Sequence, residues 1–399
     1  MLFRRALGIV LVGFFLGSPG YLVYGQSVVP SEGFHADALL SFPAGGLPGG
    51  LCHSPGGDPI TYETESGEIQ LHTGGASAVL AQFTPSVFGS FLVLHPDSET
   101  VIFAESSESN VYSMPLTGGG AVLIDNISFA YDLVFDSDGN GLVSSLGLDS
   151  GSRIVLLDSD PTAANQEVVT GIPGFSGPLT LDAAGNLYYV TADLANPGMQ
   201  SLRRIPAAVI QGAIAGAPVD FGTVSETLLD ELGGAFALRW LGGKLLFTDL
   251  GFASGTPALF LVDPDENFAL STVATFDFSP SYMAVRPGTV NLAPGAGPGA
   301  GSLMVVFSDG TSVSRVAEIY AETWFVRGEL NGDGVVDISD AITLLSQLFI
   351  DPDTPITFIA ADINHDDGVD ISDAIYLLDF LFRGGPSISA PFPARGPES

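Results

Sequence analysis

The chain has 399 residues, of which 46% are hydrophobic and 14% are charged, so it can bury a large core and is not a disordered protein. Its 45 acidic and 12 basic residues give a net charge of −33, which would repel nucleic acids and anionic membranes and attract hard divalent cations. Cys52 is the only cysteine, which excludes a disulfide framework and a cysteine-based zinc site.

The first element in chain order is a predicted secretory signal peptide, residues 1–25. Arg4 and Arg5 form its positive start, residues 6–17 form an apolar run, and Val23–Gly25 places small residues at the cleavage site. A retained membrane anchor is the alternative, but the run is short for a bilayer span of about 20 residues. We therefore expect a secreted or cell-surface bacterial protein with no membrane span in its mature chain.

Residues 31–322 repeat one unit, in which a tight Gly/Asp turn joins two apolar strands and a polar turn leads to a third. The turn markers lie 41 to 57 residues apart, at Gly56, Asp97, Asp138, Gly185, Gly242 and Gly288. Periods of this length are typical of β-propellers, with one sheet per blade. Six copies predict a mainly β, six-bladed propeller whose ring is closed by a strand from Ala36–Phe42. A many-stranded β-sandwich is the alternative.

Acidic residues recur at strand ends of this unit: Glu63, Glu105, Asp132, Asp193, Asp249 and Asp309. A ring of such residues would bind a cation or supply paired carboxylates for glycoside hydrolysis. The alternative, which we favour, is that each acid caps its own turn by accepting backbone N–H groups. The histidines of this region are scattered without metal-ligand spacing: His35, His53, His72 and His95.

The repeat pattern resembles NHL-type and gluconolactonase-like six-bladed propellers. That group includes lactonases, lyases and pure binding platforms, so the resemblance implies a fold and leaves the activity open. The region contains no GxSxG nucleophile motif, phosphate-binding loop or dinucleotide fingerprint in a strand–turn–helix context. The catalytic residues of an enzyme on this scaffold are therefore unknown.

Residues 327–399 contain a duplicated acidic motif, Glu329–Phe349 and Asp362–Phe382, with an offset of 33 residues. Each copy has oxygen donors at loop positions 1, 3, 5, 9 and 12 and a backbone carbonyl at position 7, the spacing with which EF-hand-like loops bind Ca²⁺. The predicted ligands are Glu329, Asn331, Asp333, Val335, Asp337 and Asp340 in the first loop, and Asp362, Asn364, Asp366, Gly368, Asp370 and Asp373 in the second. We expect two Ca²⁺ ions and folding that is coupled to the metal.

An amphipathic helix is predicted after each loop, beginning at position 10 with the last carboxylate on its first turn. The expected packing stripes are Ile342, Leu345, Leu348 and Phe349 in the first helix, and Ile375, Leu378, Leu381 and Phe382 in the second. An acidic solvated linker is the alternative, but two copies in the same register argue against it.

The duplicated motif resembles type I dockerin domains, with paired loop–helix repeats and Asp at position 12. The resemblance implies a small α-helical calcium module that docks onto a cohesin-like or cell-surface protein, in a setting of polysaccharide breakdown. Its recognition positions, 10 and 11, correspond to Ile338, Ser339, Ile371 and Ser372. The ending is similar to dockerin-like tails of exported planctomycete-type proteins. Two departures, Glu329 at position 1 and Asp367 in place of Gly, predict unequal calcium affinities.

Two functions follow from these features. In the first, the propeller is a ligand-binding platform, with a glycan as one candidate ligand, and the dockerin-like module attaches it to a partner protein. In the second, the protein is a hydrolase, lyase or lactonase, acting on polysaccharide from a site in the propeller channel. We favour the first, because no catalytic constellation is present in the sequence.

Overall fold

The computed structural model places most of the chain in two compact units, Met1–Ala321 and Glu322–Ser399. The described residues are 28–31, 34–42, 48–84, 89–105, 109–147, 151–191, 200–252, 254–287, 301–308, 313–321, 325–351, 356, 358–366 and 368–393. The predicted signal peptide, residues 1–25, lies outside them. Within these residues no helix is both long enough and apolar enough to cross a membrane.

The first unit contains six sheets. Apart from the two N-terminal strands, the first strand of each sheet in chain order is the innermost one. Two N-terminal strands, β1 Val28–Pro30 and β2 Phe34–Ser41, precede them. The first three sheets contain β3 Pro48–His53, β4 Pro59–Glu63, β5 Glu68–Thr73 and β6 Ala76–Gln82; β7 Gly89–Leu94, β8 Thr100–Glu105, β9 Asn110–Pro115 and β10 Val122–Asn126; and β11 Asp132–Phe135, β12 Gly141–Gly147, β13 Gly151–Leu156 and β14 Glu167–Ile172.

The last three sheets follow the same plan. They contain β15 Leu179–Leu181, β16 Leu187–Val190, β17 Gln200–Ile205 and β19 Glu226–Leu232; β20 Ala235–Leu241, β21 Lys244–Asp249, β22 Ala258–Asp263 and β23 Ala269–Phe276; and β24 Pro280–Arg286, β25 Ser302–Ser308 and β26 Ser314–Ala321. Between β17 and β19 lie helix α1 Ala207–Ala215, strand β18 Val219–Asp220 and helix α2 Phe221–Val224. Strand β18 adds to β14 in parallel, and a 3-10 helix, Pro264–Glu266, follows β22.

The innermost strands β3, β7, β11, β15, β20 and β24 each contact the next, and β24 contacts β3. The ring is therefore closed, and the predicted six-bladed propeller is confirmed against the sandwich alternative. Strand β2 pairs antiparallel with β26 and completes blade 6, from Phe34 opposite Ala321 to Ser41 opposite Arg315. The predicted ring-closing strand is thus confirmed. Strand β1 extends blade 5 by pairing with β23.

The sequence produces these blades through repeated turn chemistry as well as apolar strands. After β11, Asp136 Oδ1 accepts backbone N–H groups from Asp138 and Asn140 at 2.9 and 2.8 Å. Gly139 adopts a φ of 86°, a conformation that favours glycine. Asp182 makes the same kind of turn one blade later. Such turns reverse the chain and set the register of the first two strands.

The second unit is built on helices α3 Ile338–Phe349, α4 Phe358–Ala361 and α5 Ile371–Arg383. Asp337 and Asp370 cap α3 and α5, and in each helix the aspartate three residues later bonds back to the cap, forming a capping box. Both helices therefore begin at loop position 10, as the sequence predicts. Their last loop carboxylates, Asp340 and Asp373, lie on the first turn.

The predicted packing stripes of α3 and α5 are partly wrong. The residues that α3 buries are Ala341 and Leu344, and their counterparts in α5 are Ala374 and Leu377. Leu345, Leu348, Leu378 and Leu381 are half-buried at the edge of this core. The outer members of the predicted stripes, Ile342, Phe349, Ile375 and Phe382, are more than half exposed. Each helix carries apolar residues on two faces, and the face with the smaller side chains packs because it allows the helices to approach closely.

Candidate functional sites

The channel of the propeller is closed where the innermost strands begin. The Asp132 carboxylate on β11 pairs with the Arg239 guanidinium on β20, with Oδ2 to Nη1 at 2.9 Å and Oδ1 to Nη2 at 3.3 Å. These strands belong to non-adjacent blades. Tyr131 OH donates across the same gap to the Phe236 carbonyl at 2.7 Å, and Tyr282 OH donates to a blade 2 carbonyl at 3.1 Å. The void left beside these groups is about 20 Å³, which is room for one water molecule.

The strand-end acids lie at this closed end. Glu63, Glu105 and Asp249 pair with the residues that begin β3, β7 and β20. The expectation that strand-end acids share one rim therefore holds for these three. Asp193 and Asp309 lie outside the described residues.

The described acids nevertheless do not form one common site, because they have separate local partners. Asp249 caps its own turn through Oδ1, which accepts the Gly251 N–H group at 2.6 Å, and its Oδ2 accepts the Gly233 N–H group, just before β20, at 3.1 Å. Burial raises the pKa of the Asp249 carboxyl, and these two bonds partly oppose that effect. Asp132 is held by Arg239. Across the described ranges, which include the two predicted calcium loops, no three His, Cys, Asp or Glu side chains are grouped so that they could hold a metal ion.

The opposite end of the channel, where the innermost strands end, opens as a funnel of about 270 Å³. We call it the channel funnel. Its walls are mainly aliphatic, and its polar side chains come from three different blades. The residues that line it include His53, Val134, Leu179, Thr180, Arg239 and Val285.

His53 is one of the titratable groups that line the channel funnel. Its Nδ1 lies 2.8 Å from the Ser54 carbonyl. A carbonyl can only accept, so Nδ1 carries the proton and Nε2 is left as an acceptor. Burial lowers the pKa of His53, and the bond to Ser54 offsets this only in part. The imidazole is therefore neutral at neutral pH.

The other propeller histidines remain scattered, as the sequence predicts. His35 stacks on Tyr320, His72 bonds to Thr61 and Ser77, and His95 bonds within its own turn to Asp97.

We expect the Cys52 thiol to be unreactive in the native protein. Only 4% of Cys52 is exposed, and burial raises the pKa of its thiol far above the usual range. Because the thiolate is the reacting form, a disulfide reagent such as DTNB should modify Cys52 at least about 100-fold more slowly in the native protein than in urea. Rapid, stoichiometric labelling without denaturant would contradict this prediction. The reaction also reports on unfolding of the propeller.

The two predicted calcium loops share one hydrogen-bond framework. Asp340 Oδ1 accepts the backbone N–H groups of Leu330 and Asn331 at 2.6 and 3.3 Å, and Oδ2 accepts that of Asp337 at 2.9 Å. Asp373 makes the three equivalent bonds in the second loop, at 2.7, 3.1 and 2.9 Å. Both carboxylates are fully buried. Position 12 therefore closes each loop onto its own beginning.

The side chains at positions 3 and 5 are hydrogen-bonded to each other in both loops. Asn331 Nδ2 donates to Asp333 Oδ2 at 3.1 Å and to Ser339 Oγ at 2.5 Å. The equivalent bonds of Asn364 are 2.8 and 2.9 Å long. The position-5 carboxylate also accepts the backbone N–H group of position 7, at 2.8 and 3.0 Å. The backbone of each loop therefore folds around the side chains at positions 3 and 5.

Positions 1 and 9 are also bonded inside the loops. Glu329 Oε1 accepts the Gly332 N–H group at 2.6 Å, and Asp362 Oδ1 accepts that of Asp366 at 3.0 Å. At position 9, Asp337 and Asp370 accept hydrogen bonds at the starts of α3 and α5, and bonds from Ser339 and Ser372 lower the pKa of both carboxyls. Every predicted side-chain ligand in the loops would coordinate the ion through an oxygen atom, which suits Ca²⁺. Position 9 often reaches the ion through water.

Two apolar ridges flank the loops. The first consists of Ile338, Ile342 and Phe349 on α3, and the second of Ile371, Ile375 and Phe382 on α5; each of these residues is 49% to 66% exposed. Positions 10 of the two loops, which the dockerin resemblance assigns to partner binding, therefore begin the ridges. Ser339 and Ser372, at positions 11, are bonded to the loop asparagines instead.

Arg327 is an important residue that sequence analysis missed. It is fully buried, and its guanidinium lies 5.4 Å from the centre of the Phe325 ring. Nε donates to the Ala390 carbonyl at 3.2 Å, and Nη1 donates to the carbonyls of Ile359 and Asp362, at 3.1 Å to Ile359. Arg327 thus joins the start of the second unit to its second loop and its C-terminal segment. Its position at the start of an acidic module was the available signal.

No family model matches the chain, and no curated protein does either. An oxidoreductase (glucose dehydrogenase) from Thermus thermophilus, provisionally so assigned, is similar at 15% identity, with a TM-score of 0.52, over 72% of this chain and 100% of its own. A luciferin-regenerating enzyme is similar at 12% identity, with a TM-score of 0.50, over 72% and 96%. The chain shares its propeller fold with these proteins. At such identities the likeness shows the fold alone, and the loop–helix module is not shown by any family match.

Proposed function

We propose that this protein is an exported, calcium-dependent attachment protein. Its propeller serves as a ligand-binding platform, and its C-terminal module binds two Ca²⁺ ions and docks onto a cohesin-like or cell-surface protein. The observation that carries the proposal is the common framework of the two loops, in which Asp340 and Asp373 make the same three backbone bonds 33 residues apart.

The charge of the loops supports a cation. Asp340 and Asp373 are fully buried, and neither makes an ion pair with a basic residue of the described chain. A buried carboxylate without a positive partner is costly, even when backbone N–H groups bond to it. Ca²⁺ would be held by the side-chain oxygens of positions 1, 3, 5, 9 and 12 and by the position-7 carbonyl, and would supply the missing positive charge.

The apolar ridges support docking. Large apolar side chains that are exposed side by side on a helix are unusual at the surface of a soluble protein, and they mark interaction sites. Here the same three positions are exposed on two helices related by an internal repeat. Each ridge begins at position 10, where the dockerin resemblance places partner recognition. Either ridge would present the same chemistry to a partner.

The rival proposal, a polysaccharide-acting hydrolase or lyase, has less support. Glycoside hydrolysis needs a free acid and a second carboxylate beside the scissile bond. At the closed end of the channel, Asp132 is paired with Arg239 and Asp249 caps its own turn. The channel funnel, at the other end, is lined mainly by aliphatic side chains, and no carboxylate is among the described residues that line it. A binding role suits these surfaces better.

Calcium binding can be measured by isothermal titration calorimetry on the full-length protein. We expect two ions per chain, and one after Asp340→Asn or Asp373→Asn, because the amide removes one anionic ligand and should weaken that site at least about 100-fold. Asp97→Asn is the matched control, since Asp97 caps a propeller turn through backbone bonds. It should retain two ions. Absence of saturable binding, or two ions in both loop variants, would refute the proposal.

A further inference from the structure

We infer that the channel funnel binds a small neutral aromatic molecule with one oxygen acceptor, and that this acceptor bonds to Arg239. The inference rests on the proposed role of the propeller as a binding platform, and it names the ligand class of that platform. It places the ligand at the end of the channel opposite the strand-end acids. The calcium module takes no part in it.

The shape of the channel sets the size of the ligand. The cross-channel bonds of Asp132, Tyr131 and Tyr282 close one end of the channel formed by the described residues, so we place the entry of a ligand at the other end. The channel funnel has a volume of about 270 Å³. Apolar cavities of about 150 Å³ bind benzene. The channel funnel is therefore large enough for two fused rings with a short substituent.

The walls select for apolar surface. Leu133, Leu179 and Met283 line the channel funnel and are almost completely buried, and Val134 and Val285, which also line it, are half-buried. Small-molecule sites are typically apolar pockets with a few well-placed polar groups. A planar aromatic molecule would cover these side chains from several blades at once, and its burial would release water from them.

Arg239 supplies the polar group at the floor. Its Nη atoms make two bonds to Asp132 and one, at 2.7 Å, to the Leu238 carbonyl. A guanidinium has five N–H donors, so two remain unused by the part of the chain that the structure describes. The side chain of Arg239 is 21% exposed, whereas that of Asp132 is 6% exposed. Arg239 therefore lies on the accessible side of the pair.

Electrostatics favour a neutral acceptor over an anion. Asp132 already compensates the charge of Arg239 at 2.9 Å, and the chain as a whole carries −33. A second carboxylate at the floor would meet the field of Asp132 at close range. A ketone, ester or ether oxygen accepts the same hydrogen bond without that repulsion. A ligand without this oxygen would leave an Arg239 donor desolvated and unpaired beneath it.

The test uses 2-acetylnaphthalene, titrated into the full-length protein by isothermal titration calorimetry. We expect saturable binding to one site, with equal affinity in Ca²⁺ and in EDTA. 2-Ethylnaphthalene, which has nearly the same shape and no acceptor, should bind about tenfold more weakly. 2-Naphthoate should also bind more weakly. The result is independent of calcium, so its failure would leave the attachment function standing.

Two variants place the site. Val134→Phe and Val285→Phe fill the channel funnel from opposite walls, and each should weaken binding at least about tenfold. Val122→Phe adds the same volume on β10, at a residue that is 64% exposed, and should bind as the unmodified chain does. Circular dichroism melting confirms that each variant is folded. Undiminished binding in both filled variants would overturn the inference, as would a preference for 2-naphthoate or no saturable heat.

Discussion

A chain that begins at residue 42 should fail to form a stable propeller, whereas a chain that begins at residue 28 should fold normally. Removing residues 28–41 deletes β1 and β2. Strand β2 pairs with β26 over its whole length, and Tyr320 OH donates to Asp37 Oδ2 at 2.7 Å across this pairing. The lost ladder bonds alone are worth on the order of 5 kcal/mol, which matches the whole stability of many domains.

Urea denaturation, followed by circular dichroism and by labelling of Cys52, measures this effect. The shortened chain should lose its cooperative propeller transition and expose Cys52 without denaturant. A synthetic peptide of residues 28–41 should restore protection when added in excess, because the open edge of β26 is a template for strand addition. An unchanged urea midpoint in the shortened chain would show that β2 is not needed for closure.

Arg327→Met should cost the C-terminal module about 3–5 kcal/mol. The guanidinium is fully buried and donates to the carbonyls of Ile359, Asp362 and Ala390. Methionine fills the space but donates no hydrogen bond, so three backbone carbonyls lose the same donor together. The unfolding free energy of the module, taken from its own urea transition in the full-length chain, reports the loss.

Two further variants separate hydrogen bonding from charge. Arg327→Lys retains the charge but cannot reach three separate carbonyls, so it should recover only part of the loss. Arg383→Met is the matched control, because Arg383 is exposed and pairs with Asp379 one helical turn away. It should change the unfolding free energy by less than about 0.5 kcal/mol. If Arg327→Met were as stable as this control, the stabilising role that we assign to the Arg327 hydrogen bonds would be wrong.

The propeller could be predicted from the sequence because each blade repeats local chemistry. The hairpin at Asp136 and its counterpart at Asp182 are visible as short runs of aspartate, glycine and asparagine between apolar strands. Even the closing strand was predictable, since an apolar segment without a local partner precedes the first repeat. Turn and strand patterns that recur in each blade can be counted directly in the sequence.

The features that depend on closure could not be predicted. Asp132 and Arg239 are 107 residues apart and meet only because ring closure brings the innermost strands of blades 3 and 5, which are not adjacent, to the same channel. The sequence offered Asp132 either as one of a ring of acids or, as we favoured, as the cap of its own turn, whereas the structure gives it a guanidinium partner from another blade. The channel funnel is equally invisible, because its aliphatic walls have the same composition as the core.

In the module, the sequence predicted the helix starts and misassigned the faces. Asp337 and Asp340 form a local capping box, and such a pattern can be identified in a short segment. The choice between Leu344 and Ile342 as the buried residue depends on how closely two helices approach. Both side chains satisfy the helical period, so periodicity alone could not decide. Arg327 was missed for a similar reason, since its acceptors are backbone groups that leave no mark in a sequence.

The pairing of β2 with β26 has a consequence for synthesis. Strand β2 ends at Ser41 and β26 begins at Ser314, and ribosomes add roughly 5–20 residues per second. The first of these strands therefore waits tens of seconds for the other to be made. Throughout that interval β2 has no partner strand, so the ring can close only after β26 has been made.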